Sequence, residues 1–421
     1  MDQYQHLCRI ALKTWGINKN IKKLLYKKII ERTLCHGAAA WGHNMTSRLQ
    51  KRLDSIQHLF LLYITGAYRI TPTAALQVVT GFQPLHLQIQ QEATYARVAR
   101  ARSSSNIFTV IFSPTDYESK SSGIHIHRPN FLLHKEISLA ENHIDSGAKA
   151  IYTEGSKTDE DTGSAYCILE NYRIIALWQG KLDHSNSVFQ AEILAIRMTI
   201  EAASSLHGPI KIWTDSLSSL MAILNPKSHH SMVREIQTLL LSHKHIHLRW
   251  LKAHVGYLDN ECADQLAKEA ISKGDHFFLP KPLSYLKSEI KSAALNICQD
   301  NWDNGETGRS THDIVPKVSN KPVGWNREEI MFVTGHGPFP SYFHRFNLRT
   351  HDNCSCGEKG DPMHYETKCR FTLFWHFQTP TVSLKLQWLK NILTNNLSRT
   401  RLRLLMRFIC DENNLIIEDN N

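Results

Sequence analysis

Apolar and polar positions in the central third of the chain follow two alternating periods. Short apolar runs bounded by polar turn residues occur at 150–153, 165–169, 173–178, 210–213 and 246–251, and each predicts a β-strand. Gly155-Ser156 is expected to turn the chain away after the first strand, and Glu170-Asn171 to join the second to the third. Between them, Ala191, Leu194, Ala195, Met198 and Ala202 fall at helical spacing and predict a helix over 187–206. Ser216 is expected to cap a helix after the fourth strand, and Asn260 to open one running to Ala270. Either side of this α/β region the period is helical. The best amphipathic runs are 21–33 and 45–64, then 283–302 and a tail at 383–408. Serine clusters and weak periodicity at 103–149 predict a linker with one or two short elements.

The α/β region holds four acidic residues with distinct local settings: Glu154 in Y-T-E-G-S, Glu192 in Q-A-E, Asp215 in W-T-D-S and Asp264 in N-E-C-A-D. They are spread over about 110 residues, so they act together only if a fold brings them together. Converging carboxylates would offer an oxygen-rich cage for two Mg²⁺ or Mn²⁺ ions, as in-line phosphodiester hydrolysis requires. Taken singly, Glu192 would merely favour a helix N-terminus, and Asp215 and Asn260 would merely cap helices. Cys167 and Cys262 read as small apolar residues.

Set in order, T-E-G-S, Q-A-E, T-D-S and H-x-G-x-x-x-N-E-x-A-D, from His254 to Asp264, resemble the ribonuclease H type 1 family over roughly 147–274, about 30% of the chain. The resemblance implies a mixed sheet flanked by helices and cleavage of the RNA strand of RNA–DNA hybrids by a two-metal mechanism. It implies Glu154, Glu192, Asp215 and Asp264 as metal ligands, and His254 on a loop aiding proton transfer or product release. Asn260 and Glu261 would shape the setting of the last ligand, with Asn260 near the nucleic acid. Glu154 stands where the family has Asp. Its extra methylene moves a carboxylate by about 1.5 Å, where misplacement of about 1 Å can cost ~10²-fold in rate. Metal binding with reduced activity and a catalytically dead copy both remain open.

A second cluster follows at Cys354, Cys356, His364 and Cys369, spaced C-x-C-x7-H-x4-C. Three thiolates and one imidazole within 16 residues suffice for one closed, structural Zn²⁺ site, with Gly357 suited to the tight turn. Residues 61–87 resemble the segment after the reverse transcriptase palm of R1- and Jockey-type non-LTR retrotransposon polyproteins. Thr334-Gly335-His336-Gly337-Pro338-Phe339 resembles the stretch before their C-terminal Cys/His cluster. The chain is therefore expected to correspond to the C-terminal part of such a polyprotein. No Y-x-D-D polymerase motif occurs in it, so an upstream reverse transcriptase region would act in trans.

The organisation expected is multidomain: a basic helical segment at 1–110, a linker at 111–146 and the α/β ribonuclease H-like domain at 147–274. A helical or irregular connector at 275–350, the zinc cluster at 351–372 and a helical tail at 373–421 complete it. Charge is unevenly placed along these segments. Residues 1–102 carry 15 Lys/Arg against 4 Asp/Glu, whereas 150–273 carry 12 against 14. Affinity for nucleic acid is thus expected from the N-terminal segment, with Lys19, Lys22, Lys23, Lys27 and Lys28 on phosphates, although a solvated lysine face fits the same pattern. An odd count of nine cysteines favours a reducing intracellular compartment, nuclear or cytoplasmic. Besides hybrid cleavage, two other functions fit: a decayed module that grips nucleic acid without cutting, and a C-terminal protein-interaction module.

Overall fold

The computed structural model describes residues 18–120, 131, 133–140, 149–171, 173–253 and 258–411. They form two compact units, 95–289 and the pair of segments 18–94 with 290–411. Among the described residues no helix is long and apolar enough to cross a membrane.

The unit 95–289 is built on a seven-stranded mixed sheet. A hairpin, β1 (Ser105–Ile107) and β2 (Val110–Phe112), precedes it. The sheet strands are β3 (Ile137–Ser138), β4 (Ala150–Lys157), β5 (Thr162–Glu170), β6 (Arg173–Leu182), β7 (Ile210–Thr214), β8 (Ile246–Trp250) and β9 (Asp275–His276), in the order β3-β8-β7-β4-β5-β6-β9. Strands β4, β5 and β6 form an antiparallel meander, with Asn171 at φ 52° in its second turn. Strands β7 and β8 add in parallel on the β4 side. One face is packed by Ile151, Ile168, Ile193, Ile196, Ile200, Ile212 and Leu248 in a common core. The helix Val188–Ala203 supplies the three middle isoleucines. Its start is fixed by a capping box, Gln190 N–H donating to Ser187 Oγ and Ser187 N–H to Gln190 Oε1.

Three local expectations give way. Strand β4 continues through Gly155-Ser156, because Gly155 pairs with Ser164 and Ser156 with Gly163 on the antiparallel neighbour. Ser216 precedes the helix Leu217–Leu224 but makes no capping bond; its hydroxyl instead meets Ser219 Oγ at 2.8 Å. The tail is two helices, Lys385–Thr394 and Asn396–Asp411. Extended backbone at Asn395 breaks it, and the Asn395 side chain accepts from Leu397 and Ser398 N–H to start the second helix.

In the second unit, Leu61, Leu76, Phe332, Phe339, Cys354, Tyr365, Cys369, Leu402 and Met406 share one core. Residues of the N-terminal helices, of 290–350, of the cysteine cluster and of the tail thus share one core. Glu329 is fully buried in this unit. Its carboxylate accepts from Arg399 Nε at 2.7 Å and Arg403 Nε at 3.1 Å, and closes a capping box on Asn326 N–H at 2.6 Å. Burial pushes the carboxyl up, but the Arg399 hydrogen bond, the Asn326 amide and both guanidinium charges outweigh it and hold it below the usual range. A lowered folded value means stability present above the unfolded carboxyl range and lost as pH falls through the folded value. Glu329→Ala is expected to cost about 3 kcal/mol, the lower end for breaking a buried pair because both arginines keep access to water. Urea unfolding at neutral pH measures it, and the deficit is expected to shrink in acid.

Candidate active site

The parallel register between β4 and β7 pairs Thr153 with Thr214 and stops there. The next residue on each strand is a carboxylate, so Glu154 and Asp215 lie side by side where the parallel pairing ends, the usual place for chemistry in α/β sheets. Glu192, in the second turn of the helix Val188–Ala203, reaches the same point. Ligand oxygens of Glu154, Glu192 and Asp215 all lie within 4.8 Å of one another. The methylene that Glu154 adds does not keep its carboxylate out of the group.

Glycine makes this approach possible. A Cβ on Gly155 would meet Glu192 N at 2.9 Å and Ala191 Cβ at 3.0 Å, and Gly155 N–H donates to Glu192 Oε1 at 3.0 Å. Gly155 therefore serves close helix–strand contact instead of a turn. Gly163 does the same for the helix Leu258–Lys273, since its Cβ would lie 2.0 Å from Ala267 O. Gly163→Ala is expected to cost at least about 1–3 kcal/mol, as overpacking against backbone does, seen as a lower urea midpoint.

Glu154 and Glu192 are 7% and 3% exposed. Burial, then the Asp215 charge, pushes the Glu154 carboxyl up to about 8. Burial, then Glu154, raises Glu192 well above the carboxylate range. Glu154 Oε2 and Glu192 Oε2 are buried without a hydrogen-bond partner among the described residues. Asp264, expected as the fourth ligand, stands outside this group. Its Oδ2 pairs with Lys268 Nζ at 2.6 Å one turn along the same helix. Its charge still acts on Glu154.

His254 lies outside the described residues. Asn260, expected near nucleic acid, is buried, and its Oδ1 has no partner among the described residues. The lysine series divides. Lys19 Nζ donates to Trp325 O, Lys22 Nζ to Tyr63 O at 3.3 Å, and Lys23 Nζ to Thr80 O at 3.3 Å. Burial, then Lys23, lowers Lys19 to about 8. These three lysines meet backbone carbonyls of their own unit. Lys27 and Lys28 are exposed.

Cys354, Cys356, His364 and Cys369 also converge, their ligand atoms within 4.8 Å of one another. The loop is a tight knuckle in which Cys354 N–H donates to Glu358 O at 2.7 Å and Gly357, at φ 96°, donates to Cys354 O. Asp361 caps the helix Pro362–Thr367 by accepting from His364 N–H at 2.8 Å, which sets the imidazole in its first turn. His364 Nε2 faces Cys356 Sγ at 3.1 Å, while Nδ1 meets Glu358 Oε2 at 3.2 Å. The Cys369 thiol beside Cys354 draws the latter down to about 4, and Cys369 rises in turn.

Residues 146–272 match the RNase H family model. The chain is 26% identical over 187 residues to the Retrovirus-related Pol polyprotein from type-1 retrotransposable element R1 of Popillia japonica, an alignment covering 42% of this chain and 73% of that protein. Among solved structures, the foamy viral protease-reverse transcriptase in complex with RNA/DNA hybrid aligns at 20% identity and TM-score 0.28 over 32% of this chain and 21% of its own. The same protease-reverse transcriptase with dsDNA aligns at 22% identity and TM-score 0.27, covering 30% of this chain and 94% of that one. This chain thus spans about a fifth of the first of those structures' length. The chain carries a ribonuclease H domain at residues 146–272 and is similar to the Pol polyproteins of R1-type non-LTR retrotransposons.

Proposed function

We propose that the chain hydrolyses the RNA strand of RNA–DNA hybrids, endonucleolytically, at a divalent-cation site formed by Glu154, Glu192 and Asp215. The observation that carries this is the convergence of three carboxylates with two orphaned, buried oxygens. Buried negative charge without a counter-charge costs several kcal/mol, and all-oxygen donors suit Mg²⁺ or Mn²⁺. A pair of such ions would activate water and offset charge on the scissile phosphate. Burial raises the Glu154 and Glu192 carboxyls, so a cation would compete with protons for them. Asp264 would serve a second cation on leaving Lys268, a partly exposed i,i+4 pair worth only about 0.3–0.5 kcal/mol. The exposed Lys27 and Lys28 would meet phosphates.

The Cys/His cluster suits a closed structural Zn²⁺ site. Zinc–sulfur distances of about 2.3 Å in a tetrahedron require sulfurs about 3.8 Å apart, and Cys354 Sγ lies 3.8 Å from Cys369 Sγ. Glu358 on His364 Nδ1 is the carboxylate partner that metal-bound imidazoles usually have.

The test is cleavage of a labelled hybrid by the full chain with Mg²⁺, with Mn²⁺ and with chelator, beside Glu154→Asp. Divalent-dependent cleavage of the RNA strand by the natural sequence is the expected result. Activity in Glu154→Asp alone would mark a cation site disabled by one methylene and favour the binding-only alternative. Silence from both would sink hydrolysis.

A further inference from the structure

The helix that carries Glu192 is held at its start by residues outside the matched family segment. Gln190, two residues before Glu192, is 1% exposed and uses its whole amide. Its Oε1 accepts from Ser187 N–H and Asn186 Nδ2, both at 3.1 Å. Its Nε2 donates to Glu118 Oε1 at 2.5 Å and to Pro280 O at 2.9 Å. Glu118 precedes the family segment and Pro280 follows it.

Glu118 is itself fixed from several sides. The same Oε1 meets His230 Nε2 at 3.1 Å, and the His230 ring stands edge-on to Phe189 of the Glu192 helix. Its N–H donates to Lys281 O at 2.9 Å, while Lys281 N–H returns a bond to Asp116 O at 2.8 Å. The preceding Tyr117 is buried and donates its hydroxyl to Glu289 Oε2 at 2.6 Å. Arg102 Nη1 reaches the Tyr117 and Glu118 carbonyls at 3.2 and 3.3 Å. A stretch with the composition of a linker is thus a strap, tied to residues 280–289 and ending on the Gln190 amide.

We propose that Glu118 is a positioning residue for the carboxylate site, acting through Gln190 on Glu192, so that the working nuclease body extends from this strap to residues 280–289. This rests on the cation-dependent hydrolysis proposed above. Glu192 is aimed by the helix start and by Gly155 N–H alone among the described backbone donors. Without Glu118, one amide hydrogen of a buried glutamine has no acceptor, which costs about 1–3 kcal/mol unless the amide swings. A swing undoes the capping box that sets where Glu192 stands. Outer-shell partners of this kind typically change metal affinity or activity about 10–100-fold.

The test uses the full chain and its Glu118→Ala and Glu118→Gln variants. Mn²⁺ affinity is read by titration with electron paramagnetic resonance, and kcat and KM on hybrid are measured well below each variant's melting temperature. Glu118→Ala is expected to weaken Mn²⁺ binding and lower kcat at least about 10-fold, with KM unchanged. Glu118→Gln keeps an oxygen for Gln190 and is expected to restore both. A folded Glu118→Ala chain with wild-type Mn²⁺ affinity and kcat would overturn the positioning role, even if its melting temperature fell, and leave hydrolysis standing. A natural chain that binds no Mn²⁺ would overturn both together.

Discussion

Asp215→Asn is expected to lower RNA-strand cleavage at least about 10³-fold without lowering the melting temperature. A catalytic cation supplies several kcal/mol of charge stabilisation, and each 1.36 kcal/mol is tenfold in rate. The substitution keeps shape and backbone. Asp215 O still accepts from Trp250 Nε1 and Leu217 N–H, at 3.2 and 2.9 Å. What disappears is the Asp215 charge, which pushes the Glu154 and Glu192 carboxyls up. Relief of repulsion predicts a melting temperature that holds or rises in chelator, together with loss of Mn²⁺ binding. Asp264→Asn is the informative contrast. Because Asp264 stands apart on Lys268, it is expected to weaken cation binding less than Asp215→Asn. Equal loss in both would place Asp264 among the primary ligands.

Removing metal from the Cys/His cluster, by chelation or by Cys369→Ser, is expected to unfold the helical unit. Structural zinc contributes roughly 10–16 kcal/mol in small domains, against a net stability of about 5–15 kcal/mol for a whole domain. Cys354 and Cys369 lie in the same core as Leu61, Phe332, Leu402 and Met406, so the loss should spread well past the knuckle. Hydrogen exchange resolved by segment checks this. Protection should fall in the helices Ser47–Thr65, Arg327–Thr334 and Asn396–Asp411, while strands β4, β5 and β7 keep theirs. Loss confined to the knuckle would show that hydrophobic packing alone sustains the unit.

The convergence of Glu154, Glu192 and Asp215 was legible because each is announced by neighbours within a few residues. Legibility fails where the cause is distant. Gly155 looks like a turn residue, yet its meaning comes from a helix that starts more than thirty residues later. Glu118 meets Gln190 across 72 residues of sequence, and nothing in S-P-T-D-Y-E-S-K announces it. Lys19, Lys22 and Lys23 show another limit: a polar helix face looks the same whether its ammonium groups meet phosphate or the carbonyls of its own fold. The convergence of the Cys/His cluster was legible because its four members lie within 16 residues of sequence. Its membership of a core shared with Leu61 was not.

The helical unit is assembled from 18–94 and 290–411, with the sheet-bearing unit encoded between them. A ribosome adds about 5–20 residues per second, so the first helices emerge roughly 15–60 s before the tail that shares their core. During that interval Leu61, Leu76 and Val79 have no native cover from residues 325–409. The sheet unit, whose residues are contiguous, has time to fold first. Newly made chains are therefore expected to depend on chaperones that shield early helices, and chains cut short before the tail to aggregate through them.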